Sequence, residues 1–315
     1  MGRYLVTGGA GFIGSHIVEA LVNRGDEVKV LDNMSTGYHR NLDSVIDQIE
    51  LIEGDLIDPK AVEQAVDGVD FVFHQAALAS VPRSIEAPLE TNAACVTGTL
   101  QLLDAARKAG VKRLVYAASS SAYGDQPNPS KRELDVPQPL SPYAAAKLAG
   151  ESYCQAFYHS FGFETVCLRY FNVFGPRQDP GSEYSAVIPL FITAMLEGRQ
   201  PVVYGDGEQS RDFTYIANVV HGNLLAVSAE AAAGGVFNIA NGRSTSLLQL
   251  LAELNRLLGI NIEPEFAPAR AGDVKESLAA IELATQRMGY QPQVEFEDGL
   301  KQSIDYYRQM AQPSC

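Results

Sequence analysis

The chain has 315 residues, 46% hydrophobic and 20% charged, the balance of a globular enzyme with room for one large domain or two moderate ones. A formal net charge of −14 without any basic cluster argues against nucleic acid and anionic membranes as partners. No apolar run approaches the ~20 residues of a membrane span. The strand pattern at the N-terminus is not that of a signal peptide, and Cys95, Cys154, Cys167 and Cys315 lack metal or disulfide-framework spacing, so the expectation is a cytoplasmic protein with no metal.

Arg3–Thr7 is a short apolar run that ends in glycines, and residues 12–24 follow with helical spacing, Ile13, Ile17, Ala20 and Leu21 sharing a face. Further strands are predicted at 27–31, Ile49–Glu53, Phe71–His74, 111–118 and Glu164–Tyr170, with long helices at 89–108 and 143–161. Apolar strands alternating with helices predict a parallel sheet covered on both faces, a doubly wound α/β (Rossmann) fold. Beyond about residue 172 the alternation weakens. A strand is predicted at 236–240 and a helix at Leu247–Leu258. The expected division is a dinucleotide-binding domain over 1–172, which also receives a segment around 211–245, and a smaller α/β substrate domain mainly within 173–315. Residues 124–142, rich in Pro and charge, read as a loop.

Two motifs carry chemistry. Residues 8–14, Gly-Gly-Ala-Gly-Phe-Ile-Gly, sit between a strand and a helix, where glycines let the backbone approach a pyrophosphate and the helix N-terminus offers free N–H groups. Asp32, 18 residues after Gly14, ends the second strand. A carboxylate there accepts from a ribose and repels a 2′-phosphate, favouring NAD over NADP. Asp55, after the third strand, is a candidate for the adenine. The second motif joins Ser119, just after the fifth strand, to Tyr143 and Lys147, one helical turn apart on one face. A tyrosine near an ammonium and a positive nicotinamide ring is a candidate general base, because both cations favour the phenolate. The serine hydroxyl would hold the same substrate oxygen.

With these motifs the chain resembles the extended short-chain dehydrogenase/reductase family over essentially its whole length, most closely the UDP-sugar 4-epimerases and among them those acting on UDP-N-acetylhexosamines as well as UDP-glucose. The likeness lies in residues 8–14, Asp32-Asn33, Gly54-Asp55-Leu56, His74-Gln75-Ala76-Ala77, 119–124, 143–147, 169–175, 207–212 and 270–273. It implies NAD-dependent epimerisation at C4 through a transient 4-keto sugar, with the cofactor regenerated each turnover. Ser119, Tyr143 and Lys147 would be catalytic. Gly8, Gly11, Phe12, Ile13, Asp32, Asn33, Ser35, Thr36, Asp55, Leu56, Gln75, Ala76, Ala77 and Tyr170 would join Tyr143 and Lys147 in binding NAD. Ser80, Asn172, Val187, Tyr204, Arg211, Arg270, Asp273 and Ser277 would join Ser119 and Tyr143 around the UDP-sugar. Ser277, four positions after Asp273, would stand beside the sugar's C2 substituent, where a Tyr in UDP-glucose-restricted relatives leaves no room for an acetamido group; the competing reading is an exposed helix-cap serine. The resemblance also implies a homodimer packed through the two long helices, with Leu100, Leu103, Tyr153, Cys154 and Phe157 as apolar positions for that face. There are two departures from the family. Cys95 replaces an Asn found near the nicotinamide, and Ser119-Ser120-Ser121 replaces the Thr-Asp-Glu of the 4,6-dehydratases, removing the acid and base that expulsion of a C6 hydroxyl needs. UDP-glucuronate 4-epimerisation, or the chemistry of another nucleotide-sugar enzyme of this family, is the alternative.

Overall fold

In a computed structural model describing residues 1–126, 128, 130–181, 186–269 and 275–311, seven parallel strands form one sheet. Across it they run Val236–Ile239, Glu164–Tyr170, Arg113–Ser119, Phe71–His74, Arg3–Thr7, Glu27–Asp32, Ile49–Glu53. The order therefore reverses direction beside Arg3–Thr7, and the crevice at the carboxyl ends of such strands is where a doubly wound sheet binds its ligand. Val6, Val72, Leu114, Val115, Val166 and Leu168 have no exposed surface, as a sheet covered on both faces requires.

Helix Phe12–Asn23 packs against the first two strands, and helix Ile216–Ser228 returns to the same sheet, against Arg113–Ser119, Glu164–Tyr170 and helix Phe12–Asn23. Helix Pro142–Phe161 starts where Ser141 caps the Ala144 N–H and Pro142 takes the first helical position, and it stops at Gly162, whose φ is +66°. The helix predicted at 89–108 is realised as Pro88–Asn92 and Gly98–Lys108 joined by a π-helical turn, Ala93–Thr97, that contains Cys95. Leu103, Cys154 and Phe157, expected on a dimer face, instead lie in the core beneath the sheet, whereas Tyr153 is exposed. The segment 124–142 holds a short strand, Ser130–Lys131, which pairs with Glu276–Ala279 in a second, four-stranded sheet that also contains Ser210–Arg211 and Thr245–Ser246. No helix among the described residues is long and apolar enough to cross a membrane.

Candidate active site

The glycine turn is built by close approach. Gly8 has φ +69°, and a Cβ there would lie 2.6 Å from the Ala76 backbone nitrogen; a Cβ on Gly14 would lie 2.1 Å from the Gly8 carbonyl. Only glycine fits at either position. The Gly11 N–H donates to the Gly8 carbonyl at 3.1 Å, and the first turn of helix Phe12–Asn23 opens directly from this loop. The Asp32 carboxylate is buried and accepts the N–H groups of Ala10 and Met34, each at 2.9 Å. Burial pushes its pKa up while those two bonds pull it down. One strand further out, Asn33 donates to Asp55 at 2.7 Å and its side-chain carbonyl accepts the Ser35 N–H at 3.0 Å. Gln75, after the fourth strand, accepts from the Tyr170 hydroxyl at 3.2 Å. Gly8, Asp32, Asp55, Gln75 and Tyr170 thus follow or end strands at the carboxyl edge of the sheet, from the third strand to the sixth. A turn that admits only glycine, a helix N-terminus and an acidic strand end fit the diphosphate and ribose of NAD.

Ser119 is the last residue of its strand and Tyr170 its register partner on the next. Its hydroxyl accepts from the Ser121 hydroxyl at 2.8 Å and the Ser121 N–H at 3.2 Å. Ser119 beside it pulls the pKa of Tyr143 down, but burial outweighs this and pushes the phenol up to about 12. Lys147 is buried and donates to the Ala117 carbonyl at 2.8 Å, its Nζ 5.0 Å from the Tyr116 ring centre. Burial lowers its pKa too. The expected lowering of Tyr143 is therefore outweighed in the protein alone, where desolvation of the phenolate dominates.

Four expected substrate residues converge. Asn172, Val187, Tyr204 and Arg211 line one cavity of about 450 Å³. It begins two residues beyond Tyr170, at Asn172, whose φ of 31° marks a sharp turn off the sheet. Ser277 is not a helix cap. It lies in strand Glu276–Ala279 as the parallel register partner of Arg211. Ser80 caps helix Val81–Glu86, accepting the Arg83 N–H at 3.2 Å. Arg270 and Asp273 lie outside the described residues.

Several residues to which the sequence assigned no role support the site. His74 is wholly buried between the hydroxyls of Thr7 and Thr99, at 2.7 and 2.8 Å, and burial drives its pKa down to about 3. Asn223 donates to the Tyr170 hydroxyl at 2.8 Å and so fixes the tyrosine beside Gln75. Asp212 accepts the N–H groups of Asn241, Gly242 and Ala279 at 2.9, 3.0 and 3.2 Å, tying strand Glu276–Ala279 to the turn after the sheet's edge strand. His74 and Asp212 fall within the motifs His74-Gln75-Ala76-Ala77 and 207–212, though no role was expected of them, and Asn223 shows only as a polar residue midway along an apolar helix.

Comparison with known proteins identifies the family and the fold. Residues 4–240 match the model of the NAD dependent epimerase/dehydratase family. The chain is similar to a UDP-N-acetylglucosamine 4-epimerase from Methanobrevibacter ruminantium M1, solved with UDP-N-acetylmuramic acid, at 40% identity and TM-score 0.94, with 98% of this chain and 99% of that one covered. It is similar to the UDP-glucose 4-epimerase of Thermotoga maritima, solved with UDP-glucose, at 37% identity and TM-score 0.94, covering 98% and 100%. A UDP-glucuronic acid 4-epimerase from Bacillus cereus, solved with UDP-glucuronic acid and NAD, aligns at 31% identity and TM-score 0.90, covering 98% and 99%.

Proposed function

The chain belongs to the NAD-dependent epimerase/dehydratase family, and we propose that it inverts C4 of a UDP-hexose, interconverting UDP-GlcNAc with UDP-GalNAc and UDP-Glc with UDP-Gal through a 4-keto sugar. The observation that carries this is the meeting of Ser119 and Tyr143 at the end of one strand, with Lys147 one turn along, while the cavity of Asn172 and Arg211 opens from the neighbouring strand.

Gly8, Gly11, Asp32 and Asn33 would hold NAD, with Gln75 and Tyr170 towards its nicotinamide end. When bound, NAD+ would supply the acceptor and donor for the C4 hydride, and its positive ring would favour the Tyr143 phenolate against the burial that opposes it. Tyr143 removes the 4-hydroxyl proton and later restores it. The Ser119 hydroxyl orients O4, and Lys147 keeps a positive charge beneath the phenol. Arg211 and Asn172 grip the diphosphate, for which a guanidinium's planar donors suit bidentate binding. With the diphosphate fixed, the sugar can rotate about its linkage and present its other face. The serine run 119–121 places no carboxylate at the dehydratase acid and base positions, so elimination at C6 has no agent there.

Support for the acetylated pair comes from Ser277, the strand register partner of Arg211, which lines the cavity. A homodimer is proposed with it, now through the exposed Val81, Ile85, Leu89 and Tyr153 rather than the buried positions named from sequence. The test is to incubate purified protein, without added cofactor, with UDP-GlcNAc, UDP-Glc and UDP-glucuronate separately and to follow the 4-epimers. Formation of UDP-GalNAc and UDP-Gal supports the proposal. Turnover of UDP-glucuronate alone would replace it with the uronate reading.

A further inference from the structure

The segment from Asn172 to Val187 lines the nucleotide cavity at both ends, and between those ends residues 176–179 are gripped by three other parts of the chain. The His16 Nε2–H donates to the Pro176 carbonyl at 3.0 Å. Arg177, at φ 66°, donates to Glu19 at 2.6 Å. The Tyr307 hydroxyl donates to the Gln178 carbonyl at 2.6 Å. The Tyr38 hydroxyl donates to Oδ2 of Asp179 at 2.5 Å, while Oδ1 of Asp179 accepts the Gly181 N–H at 2.8 Å.

Tyr38 closes the loop 33–37, which follows Asp32. That loop is fastened to the glycine turn at both ends. Asp32 accepts the Ala10 N–H at 2.9 Å, and the Tyr38 N–H donates to the Ala10 carbonyl at 3.0 Å. Gly37 lies so close that a Cβ there would stand 2.8 Å from the Cβ of Ala10. The Arg40 guanidinium lies 4.2 Å from the centre of the Tyr38 ring and holds it in place. A phenol donating to a carboxylate makes a charge-assisted bond, stronger than a neutral one.

We propose that Tyr38 and Asp179 form a latch that retains the dinucleotide, joining the loop 33–37 to the segment that carries the nucleotide cavity. The inference rests on residues 33–36 holding NAD. It has a chemical logic, because an epimerase that returns its hydride has no need to exchange cofactor, so slow release does not limit turnover.

The test is the rate at which holoprotein loses NAD+ at pH 7, read by trapping released cofactor with a coupled dehydrogenase. Tyr38→Phe keeps the ring over Arg40 and removes only the donor; Asp179→Ala removes the acceptor. Each is expected to release NAD+ about tenfold faster than wild type, the scale of one charge-assisted hydrogen bond. The double variant is expected to match the faster single variant, since one bond is broken only once. Unchanged rates in both single variants, from a wild type that does hold NAD, would overturn the latch alone. Multiplying factors in the double variant would overturn it as well, because two independent effects are not a pair. A wild type that neither carries NAD nor binds it when added would overturn the cofactor reading itself.

Discussion

The guanidinium of Arg169 grips both carboxylate oxygens of Glu151, Nε at 2.9 Å from one and Nη2 at 2.6 Å from the other. Glu151 stands four residues beyond Lys147 and eight beyond Tyr143, so the pair pins the face of the helix that carries them to the strand beside Ser119. Both side chains are almost wholly buried, at 3% and 6% exposure. Glu151→Ala would strand a buried cation, an arrangement that typically destabilises by about 3–5 kcal/mol. Urea denaturation monitored by circular dichroism should show that loss; a midpoint equal to wild type would mean that the pair contributes nothing to the fold.

Tyr143→Phe should lower turnover by about 10²–10⁴-fold, the usual contribution of a general acid–base group, while leaving bound NAD at wild-type level. The ring and its packing survive, and only the proton-carrying oxygen is lost. Assaying turnover and cofactor content on one preparation separates the two effects, and near-normal turnover would remove Tyr143 from the mechanism.

Acid stability should depend on His74. Its folded pKa of about 3 lies below the ordinary 6.5, so in that interval the unfolded chain binds a proton that the folded protein refuses. Stability contributed by neutral His74 is therefore complete above pH 6.5 and falls as pH drops towards 3, by on the order of 3–5 kcal/mol. His16, pulled down to about 4 by its own burial, acts in the same direction. A His74→Gln variant should start less stable at pH 7 but lose less between pH 6.5 and 4. Parallel stability curves for the two proteins would contradict this account.

Asp32 should make the enzyme specific for NAD. Its oxygens already accept from Ala10 and Met34, and a buried carboxylate at a strand end repels a 2′-phosphate. Freshly purified protein, denatured and chromatographed, should yield NAD(H). Recovery of mainly NADP(H) would be incompatible with this role.

How far the sequence could be read depended on whether the signal was local. The glycine turn, the helix that carries Tyr143 and Lys147 and the apolar strands are each specified by neighbours in the chain, and they lie where spacing predicts. The convergence of Asn172, Val187, Tyr204 and Arg211 on one cavity was legible only through resemblance, since no periodicity links them. The π-turn at Ala93–Thr97 and the strand Ser130–Lys131 were missed because their causes are tertiary. Gly98 packs so closely that a Cβ would lie 2.8 Å from Leu56 Cβ, and Ser130–Lys131 is a strand only because Leu278 and Ala279 lie beside it. Leu103, Cys154 and Phe157 misled as dimer positions because an apolar helical face looks the same whether it covers the protein's own sheet or a second subunit.

Substrate choice is expected to turn on Ser277. Its strand runs parallel to Ser210–Arg211, with Ser277 the register partner of Arg211. Partners across a parallel pair present their side chains to the same face, and a slip of one residue would reverse that. Arg211 lines the cavity, so Ser277 is expected on the same side, and Asp212 fixes the register by accepting the Ala279 N–H at 3.2 Å. A hydroxymethyl group there leaves room that a phenol ring would fill. Ser277→Tyr should therefore depress kcat/KM for UDP-GlcNAc and UDP-GalNAc by about 10–100-fold, since overpacking by a ring typically costs about 1–3 kcal/mol. The non-acetylated pair lacks the acetamido group and should change little. The decisive quantity is the ratio of the two losses, measured on one preparation with both substrate pairs. Equal losses would show that the ring damages the site generally, and a wild type inactive on UDP-GlcNAc would show that room at position 277 does not select the sugar.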